Sequence, residues 1–368
     1  MKKFNVILCA AMIPLFSFPF FFRILQNSQQ QNPIIIDHLC TDIDQIPEQW
    51  IVKAKDDFRI AYGHTSHGSQ IISGMEVLFS LSELYTFNHD GSDGALSLHN
   101  RVPSGDLGNP NRTEWYYRTR NLLNDPECDR NLIMWSWCGQ VSGASINDIN
   151  TYLNLMNQLE LEFPQVLFVY MTGHLNGTGE EGNLHQRNNQ IREFCRINNK
   201  VLFDFADIES YDPDGNYFLD KYADDHCNYD SDGNGTRDAN WAEEWVAANP
   251  GKCSFCSCAH SHSLNCDLKG RAFWWMMARL AGWDGETCDY NRDGYVDRLD
   301  LIKKQEDVFQ ELEDWKRDCW NPMDDCADIN SDGVVDSIDL QEKQKQVSQK
   351  LRDWMESCGF QKKGRIKR

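Results

Sequence analysis

The chain has 368 residues, of which 41% are hydrophobic and 12% aromatic, and it carries a formal net charge of −20. This length allows one large domain and one small domain, and the composition is that of a globular protein. A chain this acidic has no electrostatic basis for binding nucleic acid or anionic lipid, and the short basic tail at 360–368 is too small to change that.

Residues 1–31 have the pattern of an export segment rather than of a folded domain. Lys2 and Lys3 precede an apolar run from Phe4 to Phe22, and a Gln-rich stretch follows. This pattern predicts a secretory signal peptide or an uncleaved N-terminal anchor. We therefore expect a secreted protein, or one anchored at the outer face of a membrane. Contact with a membrane is expected only if the segment stays uncleaved.

Export bears on the 14 cysteines of the chain. In an oxidising compartment cysteines pair mainly as disulfides, so most of them are expected to be bonded. Several lie close to His260 and His262, which leaves a zinc site as the alternative in that segment. These cysteines are Cys253, Cys256, Cys258 and Cys266.

Residues 32–285 alternate strand-like and helix-like patterns. The predicted strands are Phe58–Gly63, Asn131–Trp137, Gln165–Thr172 and Lys200–Ala206. The last three are nearly continuous apolar runs, as in strands buried on both faces. Predicted helices include one opened by a capping box of Ser145 and Asp148, one at Gly182–Asn198 and one at Leu268–Leu280. This alternation predicts a three-layer α/β/α sandwich with a mostly parallel sheet.

The turn after the first of these strands holds the candidate nucleophile, Ser66. Residues 64–68 are His-Thr-Ser-His-Gly, and a helical pattern starts at Ser69. A strand that turns sharply into a helix puts the turn at the carboxyl edge of the sheet, where open α/β folds bind ligands. A serine there is well placed for nucleophilic attack, because nearby N–H groups favour negative charge. A turn that only caps the helix is the alternative.

Acyl transfer by a serine also needs a histidine base and oxyanion donors. The ends of two later strands offer donors, the backbone N–H of Gly139 and the side-chain amide of Asn176. Just before the last helix of this region, His260 and His262 offer two candidate bases.

The order of Ser66, Gly139, Asn176 and a histidine at successive strand ends resembles the SGNH (GDSL-like) hydrolases. The resemblance spans about residues 55–283. The His-Thr-Ser-His-Gly block is similar to the H-x-S-x-G nucleophile block of secreted members. By resemblance, the fold would be the flavodoxin-like sandwich of the SGNH type.

The same resemblance implies the roles of the site residues. Ser66 would be the nucleophile, Gly139 and Asn176 would complete the oxyanion hole, and His260 would be the base. Neither histidine follows an Asp by three residues, so His262 remains the alternative base. The implied activity is that of a secreted serine esterase on ester or carbohydrate substrates, acylated polysaccharide among them, with no organic cofactor.

Beyond residue 285 the chain contains two copies of a calcium-loop pattern, at 289–300 and 328–339. Calcium prefers six to eight oxygen ligands, which a twelve-residue loop supplies from positions 1, 3, 5, 7, 9 and 12, with Gly at position 6. Gly294 and Gly333 occupy that position. The predicted ligands are Asp289, Asn291, Asp293, the Tyr295 carbonyl, Asp297 and Asp300, then Asp328, Asn330, Asp332, the Val334 carbonyl, Asp336 and Asp339.

The two copies, each followed by a polar helix, resemble a dockerin or dockerin-like module over residues 286–359. The resemblance implies a small all-α, EF-hand-like module with two Ca²⁺ ions. It also implies either a cohesin-like partner or a plain calcium-stabilised appendage. So small a module buries little core, and we expect calcium and disulfides to stabilise it.

Two further functions remain open at this point. One is a non-catalytic carbohydrate-binding or adhesion protein on a degenerate hydrolase fold. The other is a metal-dependent hydrolase that uses the Cys/His cluster before the last helix of the large domain.

Overall fold

The computed structural model describes residues 32–285, 290, 298–319, 327–358 and 360. The predicted export segment at 1–31 lies outside these residues, as does the basic tail after Phe360. Within the described part of the chain, no helix is both long and apolar enough to cross a membrane. The export segment and its cleavage therefore stay predictions.

A seven-stranded sheet lies at the centre of the large domain. Its strands are β1 (Ile34–Ile36), β2 (Arg59–Gly63), β3 (Phe87–Asn88), β4 (Leu96–Asn100), β5 (Leu132–Trp135), β6 (Leu167–Met171) and β7 (Val201–Phe203). Their order across the sheet is β1-β7-β6-β5-β2-β4-β3, and all these pairings are parallel. A separate antiparallel pair joins β8 (Asn228–Tyr229) to β9 (Ala239–Asn240). The predicted α/β class and parallel sheet are confirmed.

Helices cover both faces of the sheet. The helices of the large domain are α1 (Glu48–Asp57), α2 (Ser69–Leu81), α3 (Glu114–Leu123), α4 (Ile146–Glu162), α5 (Asn183–Ile197), α6 (Phe205–Ile208), α7 (Trp241–Ala248) and α8 (Ser263–Leu280). Two further helices, α9 (Arg298–Cys319) and α10 (Ser337–Ser357), follow in the C-terminal region. Buried side chains of α1, α2 and α8 form one apolar core, and those of α3, α4 and α5 form another. Along β2, Ile60 and Tyr62 belong to the first core and Ala61 to the second, as strand alternation requires. The sheet therefore lies between two helical layers.

Capping residues explain where several helices begin. The Ser145 hydroxyl accepts from the Asp148 N–H at 3.1 Å and the Asp148 carboxylate accepts from the Ser145 N–H at 2.8 Å, which confirms the predicted capping box. The predicted strand at 200–206 ends early, at Phe203, because the Asp204 side chain caps α6. Helix α8 starts five residues before its predicted start, because His262 caps it.

Helices α2 and α8 make backbone contact at Gly74 and Gly270. A Cβ on Gly74 would lie 1.8 Å from the Cys266 carbonyl oxygen, and a Cβ on Gly270 would lie 2.2 Å from the Gly74 carbonyl carbon. These distances leave no room for a side chain at either position. The close approach holds the start of α2 beside the segment that precedes α8.

The direction in which the chain crosses the sheet changes at β2 and β5. After β2 the chain moves towards β4 and β3, whereas after β5 it moves towards β6 and β7 on the other side. The helices that follow these two strands, α2 and α4, pack on opposite faces. A crevice therefore opens at the carboxyl ends of β2 and β5, which is the usual ligand position in open α/β sheets.

Among the described cysteines, free thiols outnumber disulfides, so the expectation of mainly bonded cysteines is wrong for this part of the chain. The free cysteines are Cys40, Cys128, Cys138, Cys195, Cys227, Cys253 and Cys256. Three of them are buried and pack as small apolar side chains. Cys258 and Cys266 form a disulfide, and Cys319 and Cys358 are also disulfide-bonded. The first disulfide removes two of the thiolates that the alternative zinc site would require.

Candidate active site

Side chains from five separate segments meet at the carboxyl edge of the sheet. They are His67 after β2, Cys138 after β5, His174 after β6, Asp225 before β8 and His260 before α8. Ser66 directly precedes His67 in the first of these segments. The close packing of α2 on α8 brings the first and last of these segments together. The site is therefore assembled from residues that are far apart in the chain.

His67 lies at the centre of this cluster and is 8% exposed. Its Nε2 is 2.9 Å from Asp225 Oδ2, and its Nδ1 is 3.8 Å from Cys138 Sγ. The imidazole stacks on His174, with ring centroids 3.6 Å apart, and on His260, with centroids 4.6 Å apart. The His67 side chain thus contacts a residue from each of the four other segments.

Hydrogen bonding and burial set the charges in the cluster. Burial disfavours the charged form of His67, but hydrogen bonds to Asp225 and Cys138 raise its pKa to about 9. Burial likewise disfavours ionised Asp225, but bonds from His67 and His226 lower its pKa to about 2. Burial lowers the pKa of His174. At neutral pH a charged His67–Asp225 pair therefore stacks on a neutral His174.

Cys138 is not among the predicted site residues. The hydrogen bond to His67 lowers the pKa of its thiol, although burial acts in the opposite direction. Its backbone N–H donates to Gln140 Oε1 at 2.9 Å, and the residue is half-buried. Cys138 follows β5 and directly precedes Gly139. The sequence therefore predicts this loop as part of the site through Gly139, but not Cys138 itself.

Ser66 lies in the turn between β2 and α2, as predicted, and is half-buried. Its carbonyl oxygen accepts the Ser69 N–H at 3.2 Å and the Ser69 hydroxyl at 2.6 Å. Within the described residues, the Ser66 hydroxyl makes no hydrogen bond to His260 or His262. The candidate nucleophile and bases lie at one edge of the sheet, without a formed proton-transfer contact.

The imidazole rings of the two candidate bases, His260 and His262, make different contacts. The His260 ring stacks on His67, and its backbone adopts the left-handed region with φ 57°. The His262 Nδ1 accepts the Leu264 N–H at 3.1 Å and so caps α8. Burial lowers the pKa of His262. One ring nitrogen of His262 is thus used to start a helix.

The two predicted oxyanion donors lie in turns. The Asn176 Oδ1 accepts from the Thr178 N–H at 3.2 Å and from its hydroxyl at 2.6 Å, which fixes the amide through its oxygen. Gly139 has open space where a Cβ would lie, and its carbonyl accepts from the Ser142 hydroxyl at 2.7 Å. Neither donor is hydrogen-bonded to Ser66 in the described part of the chain.

A buried ion pair supports this edge from within the domain. Lys269 Nζ is 2.6 Å from Glu209 Oε1, and both side chains are fully buried. Glu209 Oε2 accepts the Leu175 N–H at 2.7 Å. The Gln70 side chain accepts from Lys269 and donates to the Ala259 carbonyl at 2.6 Å. This network ties α2 and α8 to the loops after β6 and before α8.

Three members of the cluster, His67, His174 and Asp225, offer ligand atoms within 4.8 Å of one another. The His67 Nε2 is bonded to Asp225, and the His174 Nδ1 is bonded to the Leu175 carbonyl at 2.7 Å. The two rings are parallel to within 3°, so their nitrogen lone pairs do not converge on a common centre. The arrangement fits a hydrogen-bonded cluster better than a metal centre.

The second predicted calcium loop lies within the described residues. Asp328 Oδ2 accepts the Gly333 N–H at 2.9 Å, and Asp339 accepts the N–H groups of Ile329 and Asp336, both at 2.8 Å. Gly333 has φ 83°, a conformation that glycine adopts without strain. The carboxylates and carbonyls of this compact loop are the oxygen donors that Ca²⁺ prefers.

Five of the six ligands predicted for the first calcium loop lie outside the described residues. They are Asp289, Asn291, Asp293, Tyr295 and Asp297. The sixth, Asp300, is buried in the first turn of α9, as Asp339 is in the first turn of α10. Helices α9 and α10 pack against each other. The two copies thus agree at their last ligand position.

Two cavities bear on where a substrate would bind. A cavity of about 350 Å³ is lined by His64, Ser69 and Arg101, among others, and lies beside the nucleophile turn. Another, of about 740 Å³, lies between α1 and α10 and is lined in part by Trp50 and Glu342. The smaller cavity is the better candidate for substrate, because it touches the turn that holds Ser66.

No protein-family model, no curated protein and no solved structure matches this chain. The resemblances drawn from short motifs therefore stay predictions. The geometry of the described residues carries the functional argument.

Proposed function

We propose that residues 32–285 form an acyl-ester hydrolase with Ser66 as its nucleophile. One observation carries this proposal: Ser66 lies where the strand order reverses, in a strand-to-helix turn next to the His67–Asp225 pair. Open α/β folds bind their ligands at such points. The specific form we propose is a secreted serine esterase of the SGNH type, with acylated polysaccharide as the substrate class.

In the proposed reaction the Ser66 hydroxyl attacks the carbonyl carbon of the ester and His260 takes the hydroxyl proton. His260 is preferred to His262 because the latter uses a ring nitrogen to cap α8. Proton-transfer bonds are often long before substrate binds, so the absence of a formed bond to Ser66 agrees with this role. The Gly139 N–H and the Asn176 amide would donate to the oxyanion.

The His67–Asp225 pair contributes electrostatically to the proposed reaction. His67 follows Ser66 directly, and its raised pKa keeps the ring charged at neutral pH. A fixed positive charge beside the turn favours the negative charge that develops on the tetrahedral intermediate. The buried Lys269–Glu209 pair holds the loops that present this charge.

Hydrolysis of p-nitrophenyl acetate by purified variants tests these roles. Ser66→Ala and His260→Ala should fall to background, because nucleophile and base are each indispensable. Asn176→Ala should lose about 10²–10³ in rate, as expected for one oxyanion donor. Ser80→Ala is the matched control, because Ser80 lies near the C-terminal end of α2 and its hydroxyl bonds the Val77 carbonyl, and it should retain the wild-type activity.

Two outcomes would change the assignment. An inactive His262→Ala beside an active His260→Ala would move the base by two residues and keep the mechanism. Full activity in folded Ser66→Ala would rule out this nucleophile. Wild-type protein that hydrolyses no activated ester would favour the non-catalytic carbohydrate-binding alternative.

We also infer that residues 286–359 form a calcium-binding, dockerin-like appendage that takes two Ca²⁺ ions. The donor set and the glycine turn of the second loop support this inference. A cohesin-like partner is the interaction that the resemblance predicts. Pull-down with an immobilised cohesin domain, with and without chelator, separates this partner from a purely structural role.

A further inference from the structure

We propose that Cys138, His67 and Asp225 form a second nucleophilic centre, in which the Cys138 sulfur accepts an acyl group from a thioester. This centre is independent of the role of Ser66. It uses a thiol that no sequence motif identified and a histidine–carboxylate pair that the serine mechanism uses only for its charge.

The geometry has the order of a nucleophile, a base and a group that orients the base. Cys138 Sγ lies 3.8 Å from His67 Nδ1, within hydrogen-bond distance for sulfur. The opposite ring nitrogen, Nε2, is 2.9 Å from Asp225 Oδ2. The carboxylate accepts from Nε2–H and so orients the ring, which leaves Nδ1 facing the thiol to exchange a proton with Sγ. Stacking on His174 and His260 fixes the plane of the ring.

The surrounding groups favour the ionised thiol. The hydrogen bond to His67 lowers the pKa of the Cys138 thiol most, and the Thr65 side chain and the Gly139 backbone act in the same direction. On the far side of the His67 ring, Glu209 and Asp225 favour its positive charge. His226 Nδ1 lies 2.7 Å from the other oxygen of Asp225, and His174, whose pKa burial lowers, lies against the His67 ring. These are the conditions that activate a cysteine as a nucleophile.

Other free thiols of the chain lie in different surroundings. Burial raises the pKa of Cys227 to about 12 and that of Cys253 to about 11. Cys138 is half-buried, so a reagent can reach it, and it lies at the end of β5, where the crevice opens. Its environment is therefore that of a reactive cysteine rather than of a core residue.

The chemical step needs only an acyl donor and water. The Cys138 thiolate attacks the carbonyl carbon of the thioester, so a new C–S bond forms and the C–S bond to the leaving thiolate breaks. The leaving group takes the proton from His67 Nδ1. A water molecule then gives a proton to His67 and attacks the thioester, which releases a carboxylic acid and restores the thiolate. Asp225 is a positioning residue, because it acts through His67.

Iodoacetamide alkylation of the full-length protein, followed by peptide mass spectrometry, tests the activation of the thiol. At pH 6 we expect Cys138 to react about tenfold or more faster than Cys128 and Cys253, which serve as internal references. Asp225→Asn and His67→Gln should remove this advantage without changing the rate at Cys128. Ser66→Ala should leave it intact. If His67→Gln does not fold, the rate of Cys138 alkylation in the wild-type protein as a function of pH decides whether the thiol is activated.

A phenyl thioester of acetic acid tests acyl transfer in the Ser66→Ala background. We expect either an acetylated Cys138 peptide after acid quench or continued thioester hydrolysis, and Cys138→Ser should abolish both. Cys138 that alkylates no faster than Cys128, or a Ser66→Ala protein with neither adduct nor hydrolysis, would overturn the centre. A fluorophosphonate adduct on Ser66 in Cys138→Ser would show that the serine site stands independently of this result.

Discussion

The sheet edge that carries the candidate site and the second predicted calcium loop are built in opposite ways. The edge draws His67, Cys138, His174 and Asp225 from loops that lie up to 158 residues apart, and they contact one another directly. The loop takes all its predicted ligands from residues 328–339. The geometry of the edge therefore depends on the tertiary fold, whereas the geometry of the loop is set within one short segment of the chain.

The two regions also differ in how their charges are balanced. At the edge, Asp225 is paired with His67 and His226, and Glu209 is paired with Lys269. In the loop, neighbouring carboxylates are satisfied by backbone N–H groups, and their like charges remain. The edge should therefore be sensitive to mutation of a partner, and the loop to removal of a cation.

The largest effect on stability should come from breaking the buried ion pair beneath the edge. Lys269→Met leaves the Glu209 carboxylate buried without its cation, which costs about 3–5 kcal/mol. Urea denaturation of the full chain measures the change. Lys303→Met is the matched control, because Lys303 pairs with Asp307 on an exposed helix face and its loss should leave the unfolding free energy nearly unchanged. Equal losses in the two variants would contradict the assigned burial.

Calcium should stabilise the C-terminal region and leave the edge unaffected. At a free concentration of 100 times its dissociation constant, one bound ion contributes about 2.7 kcal/mol, so chelation should lower the melting temperature of this region. Asp339→Ala should abolish the response at its loop, whereas Asp353→Ala, on the exposed face of α10, should keep it. A melting curve that calcium leaves unchanged would show that the ligand assignment is wrong.

Gly270→Ala tests the helix contact that brings two site segments together. The added Cβ would lie 2.2 Å from the Gly74 carbonyl carbon, so the helices must separate, at a cost of about 1–3 kcal/mol. Esterase activity should fall as well, because the start of α2 moves relative to His260. Gly139→Ala is the control for stability, since nothing lies within 4 Å of its Cβ position. Thermal melting distinguishes the two, and an unchanged Gly270→Ala would refute the close contact.

The smallest effect should appear as a change in the pH dependence of stability. The pKa of folded His67 is about 9, above its ordinary value of 6.5, so its contribution is complete below pH 6.5 and lost as pH rises through 9. The pKa of Asp225 is about 2, below its ordinary 3.8, so its contribution is present above pH 3.8 and lost as pH falls through 2.

Asp225→Asn should flatten the alkaline side of this profile. The slope of the wild-type unfolding free energy between pH 7 and 9 should exceed that of the variant by up to about 1.4 kcal/mol per pH unit. Asp353→Asn, whose carboxylate is on an exposed helix face, should keep the wild-type slope. Superimposable profiles for wild type and Asp225→Asn would show that the pair contributes no linked proton.

The parts of the structure that the sequence predicts are those set by local patterns. Ser145 and Asp148 form the predicted capping box because its partners are three residues apart. The buried strands β5 and β6 lie within their predicted apolar runs. Strand β1, with only three residues, has too short a pattern to recognise and forms through pairing with β7.

The candidate site was predicted only in outline for the same reason. Residues at strand ends, such as Ser66 and Gly139, could be found because parallel strands share a carboxyl edge. Asp225 lies in an irregular segment between β7 and β8, and only the tertiary fold brings it to His67. Cys138 gains its significance from that same contact, so no local pattern could reveal it.

The most direct test of the central claim is peptide-mapped labelling of the full-length protein with a fluorophosphonate probe. Because Ser66 is the proposed nucleophile at the crevice between β2 and β5, the adduct should lie on the peptide that contains Ser66. Labelling should be abolished in Ser66→Ala and preserved in Ser80→Ala. An active protein labelled at a different serine, or not labelled at all, would contradict the proposed serine mechanism.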